Sequence, residues 1–274
     1  TCLDAVTGKL AWNKATLEPD YEYPHWGIAS SPLILNDLVI VSPGGKQGAV
    51  KAYDLATGEL RWVSELKGRG VYLSPMALEL LEETHLVTAV EGKIAGLDPA
   101  TGETRWEYPW KIFMTNAQIA QPLELSGNVF LLSASYGKGA EAIRLKKTED
   151  GYVAERVWKS KHMKTKFSSP VTKDGYVYGL NESSLTCVSA ETGQVNWRGK
   201  RYGYGRILLT GDKILLLGNT GKLTVVEARP DEFREVSSRQ LLSEERCWNG
   251  PALVGGYLVL RNGTEIACYD YAAR

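Results

Sequence analysis

The chain holds little of what metal, redox and nucleic-acid chemistry requires. It has four cysteines, Cys2, Cys187, Cys247 and Cys268, with none adjacent and none in a C-x-x-C pair. That spacing removes zinc-site and thioredoxin-type readings. Its three histidines, His25, His85 and His162, lie far apart and on different repeat units, so no metal site is expected from them. Lys plus Arg and Asp plus Glu balance at 32 each. No cationic surplus is left to displace counterions from a nucleic acid. No apolar run approaches the roughly 20 residues of a transmembrane helix. No segment of useful length carries the 3.6-residue apolar period of an amphipathic helix. The chain opens on Thr1 and Cys2 with no leader-type segment. Because it opens inside a repeat, compartment cannot be read from that beginning.

What the chain has in quantity is turn chemistry, tryptophan and repetition. "LDAVTGKLAW" at residues 3–12 returns as "YDLATGELRW" at 53–62, "LDPATGETRW" at 97–106 and "VSAETGQVNW" at 188–197. Each copy reads as a hairpin. The Asp side chain accepts hydrogen bonds from backbone N–H groups just ahead of it, as in an Asx-turn. The Gly takes the positive φ that a short bulged hairpin needs. Tryptophan then stands on the departing strand as a large apolar wedge. Trp12, Trp62, Trp106, Trp158 and Trp197 all fall in this place, at intervals of 39 to 52 residues.

A second signal runs between these hairpins. "SSPLILNDLVIVS" (30–42) has counterparts in "LSPMALELLEETHLVTAV" (73–90), "AQPLELSGNVFLLSA" (120–134), "SSPVTKDGYVYGL" (168–180), "RILLTGDKILLLG" (206–218) and "NGPALVGGYLVLR" (249–261). Each is a strand, a tight polar turn and a second strand. Pro32, Pro75, Pro122, Pro170 and Pro251 mark the start of the first strand, where proline costs no interior ladder bond. Each unit therefore has four strands, A and B from this signal and C and D from the tryptophan hairpin. Four strands per period of about 40 to 50 residues predict an all-β fold, a β-propeller of four-stranded antiparallel blades.

The predicted organisation is a single propeller domain over residues 1–274. It has a partial blade at 1–13, blades at about 26–62, 70–106, 115–158, 166–197 and 204–238, and an incomplete last blade at 247–271. That is about six blades' worth, expected to be part of a longer propeller. Two hairpins depart from the pattern and are expected to pack less regularly. "RLKKTEDGYVAERVW" (144–158) keeps Trp158 on a longer turn, and "VVEARPDEFREVS" (225–237) has lost both Thr-Gly and Trp. Cys2, Cys187 and Cys268 share one repeat position with Ala52 and Gly96. A position filled by Cys, Ala or Gly is read as a small buried slot, the thiol acting as a small hydrophobe.

The string small-x-D-x-x-T-G-x-x-x-W resembles the tryptophan-docking motif of pyrroloquinoline-quinone-like (PQQ-like) propeller repeats. It stands here as "CLDAVTGKLAW", "AYDLATGELRW" and "GLDPATGETRW", with "CVSAETGQVNW" carrying Ser189 in place of Asp. The resemblance covers essentially the whole chain, because the motif recurs in phase with the A–B hairpins. It implies that the Trp of one blade docks on its neighbour. The family includes quinoprotein alcohol dehydrogenases and the outer-membrane-assembly lipoprotein of Gram-negative bacteria, similar eight-bladed propellers in exported locations. A seven- or eight-bladed propeller and a periplasmic or exported place are what the resemblance implies. The dehydrogenases hold their quinone with a disulfide between adjacent cysteines, a stacking Trp, a calcium ion and an acidic base. This sequence has no adjacent cysteines, and the calcium and base positions carry over to no residue here. No cofactor is expected.

Other local patterns carry less. "GNTGKLT" (218–224) lacks the Lys-Ser/Thr pair of a phosphate loop and opens no helix. "KSKHMKTK" (159–166) is a basic run read as a solvated outer strand and loop rather than an anion or acidic-partner site. Aromatics, in contrast, gather in the D–A connections: "YEYPHWG" (21–27), "EYPWKIF" (107–113), "RYGYGR" (201–206) and "CWNG" (247–250). In a propeller all these connections open on one face. Tyr23, His25, Trp26, Trp110, Asn116, Tyr204, Arg206, Trp248 and Asn249 are the candidate binding residues there, since interfaces and ligand sites favour Tyr, Trp and Arg. The alternative is that these side chains merely cover blade ends. The expected function is a non-catalytic scaffold that binds a protein, peptide or envelope component through this face. A fragment of a quinoprotein-like dehydrogenase and a small-molecule or glycan sensor are the alternatives.

Overall fold

The computed structural model describes residues 1–22, 24–113 and 117–271. Strands β1 (Cys2–Leu3) and β2 (Leu10–Trp12) pair as a hairpin. Strands β3 (Leu33–Leu35), β4 (Leu38–Val41), β5 (Gly44–Gly45), β6 (Lys51–Asp54), β7 (Leu60–Val63) and β8 (Gly68–Arg69) follow. They make a four-stranded sheet in the order β3-β4-β6-β7 and a small β5–β8 pair. The next sheet holds β9 (Met76–Leu80), β10 (Glu83–Val90), β11 (Lys93–Leu97) and β12 (Thr104–Pro109). Then come β13 (Leu123–Leu125), β14 (Val129–Ala134), β15 (Gly139–Thr148) and β16 (Gly151–Ser160), and β17 (Val171–Lys173), β18 (Tyr176–Asn181), β19 (Ser184–Ser189) and β20 (Val195–Arg201). A further sheet holds β21 (Arg206–Thr210), β22 (Lys213–Leu217), β23 (Lys222–Glu227) and β24 (Glu235–Gln240). The last has three strands, β25 (Ala252–Val254), β26 (Tyr257–Arg261) and β27 (Ile266–Asp270). Each four-stranded sheet is an antiparallel meander in chain order, the form of a propeller blade. The described residues contain no helix, and each of the five prolines stands one residue before its A strand.

The chain divides into two compact units. One is Thr1–Ile119, Gly127–Val129 and Arg144–Glu155; the other is Ala120–Ser126, Phe130–Ile143 and the residues from Arg156 onward. In the first unit the repeat works as the sequence predicts. Asp4, Asp54 and Asp98 each accept backbone N–H bonds from the residues two and three ahead. The small slot is explained by register: Ala52 lies opposite Trp62 and Gly96 opposite Trp106. A Cβ on Gly96 would stand 2.1 Å from the Trp106 ring. Trp12 and Trp62 are half-buried, with their rings against Gly58 and Gly102 of the following hairpin. Ile40, Ala52, Leu86, Ala95 and Leu97 form the core that Trp62 packs against.

The atypical 144–158 hairpin changes the contact made by its neighbour. Trp106 is buried and has no Thr-Gly turn to receive it. Its indole N–H donates instead to Nδ1 of His85 at 3.2 Å. Tyr152 supplies the other side. Its ring meets His85 edge-on at 5.2 Å and its hydroxyl donates to Glu83 at 2.5 Å. Lys147 donates to the second Glu83 oxygen at 2.7 Å. Burial holds the His85 pKa below its ordinary value, and the Arg105 charge adds to that shift.

In the second unit, Trp158 lies against Gly193 and donates to the Ala190 carbonyl at 2.9 Å. Trp197 donates to the Arg229 carbonyl at 2.8 Å, with Phe233 against its ring in place of a Thr-Gly turn. Tyr178, Leu180, Cys187, Ile214 and Val226 form the core around it. In the β23–β24 pair, Ser237 stands opposite Val225, where the other hairpins hold tryptophan. An apolar groove of about 550 Å³ opens there, lined by Leu215, Leu223, Val225, Leu253 and Leu258. The small-slot reading holds for buried Cys187. It fails for Cys268, which is exposed because no strand among the described residues pairs along the outer edge of β27.

Candidate functional site

Alternating strand direction brings the D–A connections and the B–C turns of a sheet to the same end. Backbone bonds tie the two sets together. Trp110 N–H donates to the Gly92 carbonyl at 2.8 Å, Tyr202 N–H to Ser183 at 2.7 Å and Cys247 N–H to Asn219 at 3.1 Å. Serines that precede the A-strand prolines add a link between neighbouring sheets. Ser31 N–H donates to the Ser74 hydroxyl at 2.8 Å, and Gln121 N–H to the Ser169 hydroxyl at 3.0 Å. This serine clamp is not apparent from the motif alone, although "SSP", "LSP" and "AQP" carry it.

In the first unit the candidates separate. Trp26 is 56% exposed; its N–H donates to the Tyr72 hydroxyl at 3.0 Å and its ring lies 5.5 Å from Tyr72. His25 stands edge-on to Trp26 and is exposed. Trp110, in contrast, is 3% exposed and donates to Gln118 Oε1 at 2.7 Å. It covers the end of its own sheet, and its ring is closed to a partner. Tyr23 and Asn116 lie outside the described residues.

In the second unit the candidates converge. Gly203 has φ 71°, and a Cβ there would meet Asn219 Oδ1 at 1.9 Å. That glycine turn presents Tyr204 outward. Cys247 is buried, with its thiol directed at the Arg261 carbonyl, and this anchors the loop that carries Trp248. Tyr204 is 37% and Trp248 48% exposed. Phe167 joins them, 5.7 Å from Tyr204 in a T-shaped contact and 5.4 Å from Trp248 in a stack. Arg206 Nε donates to the Trp248 carbonyl at 3.0 Å, and burial pulls its guanidinium pKa down. Asn249 is exposed beside Trp248.

Four residues of this cluster escaped the sequence reading: Tyr136, Lys166, Phe167 and Arg246. The basic run was read as a solvated strand and loop, yet Met163 and Thr165 within it are buried. Ser133 fixes both, donating to the Met163 carbonyl at 2.8 Å and receiving the Thr165 hydroxyl at 2.8 Å. Lys166 then projects over three rings, 4.4 Å from Tyr204, 5.3 Å from Tyr136 and 5.4 Å from Phe167. Arg246 lies 4.7 Å over Trp248. The available signal was topological. B–C turns open beside D–A connections, so "SYGKG" belonged with the aromatic loops.

These groups have the chemistry that recognition uses. Aromatic faces and cations share one surface, and no nucleophile and base are brought together within this cluster. The quinone group of the dehydrogenase relatives does not fit the residues present. The four cysteines are free thiols, and burial pushes Cys187 up to about 12. No three His, Cys, Asp or Glu side chains converge as metal ligands among the described residues.

Comparison with known proteins bears on the family and the fold. The family model of outer membrane protein assembly factor BamB matches residues 1–199. A quinohemoprotein alcohol dehydrogenase, ADH IIB of Pseudomonas putida, is 39% identical over 64 residues. That stretch is 22% of this chain and 9% of the dehydrogenase, so only a small part of the relative's length is matched. BamB from Moraxella catarrhalis aligns over 88% of this chain and 84% of its own, at 16% identity and a TM-score of 0.50. The β-propeller domain of Cps50 (Swd1) from Myceliophteria thermophila aligns over 89% and 84%, at 15% identity and a TM-score of 0.60. The computationally designed Ika8 protein aligns over 88% and 70%, at 12% identity and a TM-score of 0.61. At such identities the structures speak for the fold, a β-propeller. With the family model spanning residues 1–199, the chain belongs to the family of outer membrane protein assembly factor BamB, built on PQQ-like propeller repeats.

Proposed function

We propose that this chain is a non-catalytic propeller scaffold of the cell envelope that binds a protein partner through its D–A face. The observation that carries the reading is the open aromatic cluster of Phe167, Tyr204 and Trp248, presented by three successive D–A connections. Aromatic side chains left half-exposed on built loops are what protein interfaces use as anchors. The family's name points to the assembly of outer membrane proteins as the process served, with a periplasmic location. No helix among the described residues is long and apolar enough to cross a membrane.

Photo-crosslinking in intact cells tests this. A photoreactive residue replacing Trp248 is expected to give discrete protein adducts. The same residue replacing Asp174, on the A–B turn at the other end of its sheet, is expected to give none. Adducts from position 174 alone, or from neither position, would end the reading.

A further inference from the structure

We infer that the segment seated on this surface is an acidic peptide, its carboxylates taken by Lys166, Arg206 and Arg246 and its apolar side chains laid on Tyr204 and Trp248. The inference rests on the proposed scaffold function and adds the chemistry of the partner.

Charge pairing is the first ground. Several cations of this chain are matched: Arg105 by Asp98 and Glu83, Lys159 by Glu141, Lys200 by Glu235 and Arg229 by Asp231. Lys166, Arg206 and Arg246 have no carboxylate within ion-pair distance among the described residues. Lys161 and Lys164 stand on the same connection as Lys166, between β16 and β17. The carboxylates on the adjoining turns and loops are Glu182, which accepts from the Ser135 hydroxyl at 2.7 Å, and the exposed Glu244 and Glu245. The chain as a whole is neutral, so this is a local excess of positive charge. It favours an acidic partner.

Preorganisation is the second ground. The three rings hold the Lys166 ammonium in one place, so less side-chain freedom is lost when a carboxylate binds. Arg206 is held through Nε by the Trp248 carbonyl. Its two Nη groups are the fork that takes a carboxylate in bidentate fashion. The partly buried guanidinium regains in the complex the counter-charge it lacks here.

The third ground selects a peptide over a small anion. Trp248 and Tyr204 keep open faces that inorganic phosphate cannot cover, whereas Leu, Phe or Tyr side chains between acidic residues can. Tyr204, Arg206, Arg246 and Trp248 also lie beyond the span matched by the family model.

The test is an array of labelled peptides in which Asp or Glu alternates with Leu, Phe or Tyr, read by fluorescence anisotropy on the whole chain. Matched Asn/Gln peptides, inorganic phosphate and phosphatidylglycerol vesicles are the other arms. Acidic members are expected to bind at least about tenfold more tightly than their neutral partners, with affinity falling as salt rises. Arg246→Gln, an exposed position, is expected to weaken binding severalfold with unchanged thermal unfolding, and Lys166→Gln to weaken it severalfold while the chain stays folded. Equal binding of neutral peptides, no binding by any acidic member, or preference for phosphate or vesicles would overturn the inference. The scaffold reading stands or falls separately: crosslinks from position 248 without acidic preference would sink only the peptide chemistry.

Discussion

The indole N–H of Trp12 donates to the Leu55 carbonyl at 3.0 Å while its ring rests on Gly58. Trp158 repeats the arrangement with Ala190 and Gly193. The Trp and the Thr-Gly of the motif are therefore two halves of one contact between successive hairpins. This explains why they recur together in the sequence.

That contact predicts the effect of a single methyl group. Gly193 has φ 69°, and a Cβ there would stand 2.5 Å from the Trp158 ring. Gly175 has φ 80° and open space around it. Gly175→Ala is expected to cost about 1 kcal/mol, the strain of a side chain in the left-handed region. Gly193→Ala is expected to cost about 2–4 kcal/mol, because the ring must also shift. Urea unfolding midpoints of the two variants check the difference, and equal midpoints would refute the contact.

Tryptophan-to-phenylalanine changes separate ring packing from the indole bond. Trp158→Phe removes the bond to Ala190 and is expected to cost about 1 kcal/mol more than Trp62→Phe. The Trp62 indole N–H is buried and lacks a partner among the described residues, so its loss removes no bond. Trp62→Ala removes the wedge itself and is expected to cost about 3 kcal/mol. Denaturation of the three variants side by side measures all of this.

The fold was legible because its signals are local. Asx-turns, positive-φ glycines, tryptophans and strand-opening prolines each act within a few residues, and their period counts the sheets. The candidate surface was legible only in part. Tyr204 and Trp248 could be placed by connection type, but Lys166 reaches Tyr136 and Tyr204 across two other loops. Trp110 illustrates the opposite case. It shares the aromatic loop pattern of Trp26, yet it is buried with its indole N–H on the Gln118 amide, eight residues along the same connection. Which face of a loop is covered depends on such irregular contacts, and no local period encodes them.

Thiol reactivity follows from burial. Cys187 and Cys247 are buried, and burial raises both pKa values. Neither is expected to react with an aromatic disulfide reagent in the native chain. Cys268 is exposed and Cys2 half-buried, so Cys268 is expected to react first and Cys2 more slowly. Mass spectrometry of partly labelled protein reads the order. Early labelling of Cys187 would show that its sheet opens readily.

Acid stability should report on the junction between the regular and atypical hairpins. Lys147 and Tyr152 donate hydrogen bonds to Glu83, Arg105 stands 3.6 Å from it, and together they hold its pKa down from 4.5 to about 2. A carboxylate with a depressed folded-state pKa binds protons more weakly in the folded chain than in the unfolded one. Its contribution is therefore complete above about pH 4.5 and is lost as pH falls toward 2. Glu83→Gln keeps the size of the side chain and removes this titration. The variant is expected to be less stable than the parent at pH 7, with the gap narrowing between pH 4.5 and 2. Tyr152→Phe removes one of the two hydrogen bonds and is expected to raise the Glu83 pKa, moving the acid loss toward higher pH. Urea midpoints measured from pH 7 to pH 2 decide it. A gap between parent and Glu83→Gln that stays constant over that range would mean that Tyr152 and Lys147 do not hold Glu83 ionised at this junction.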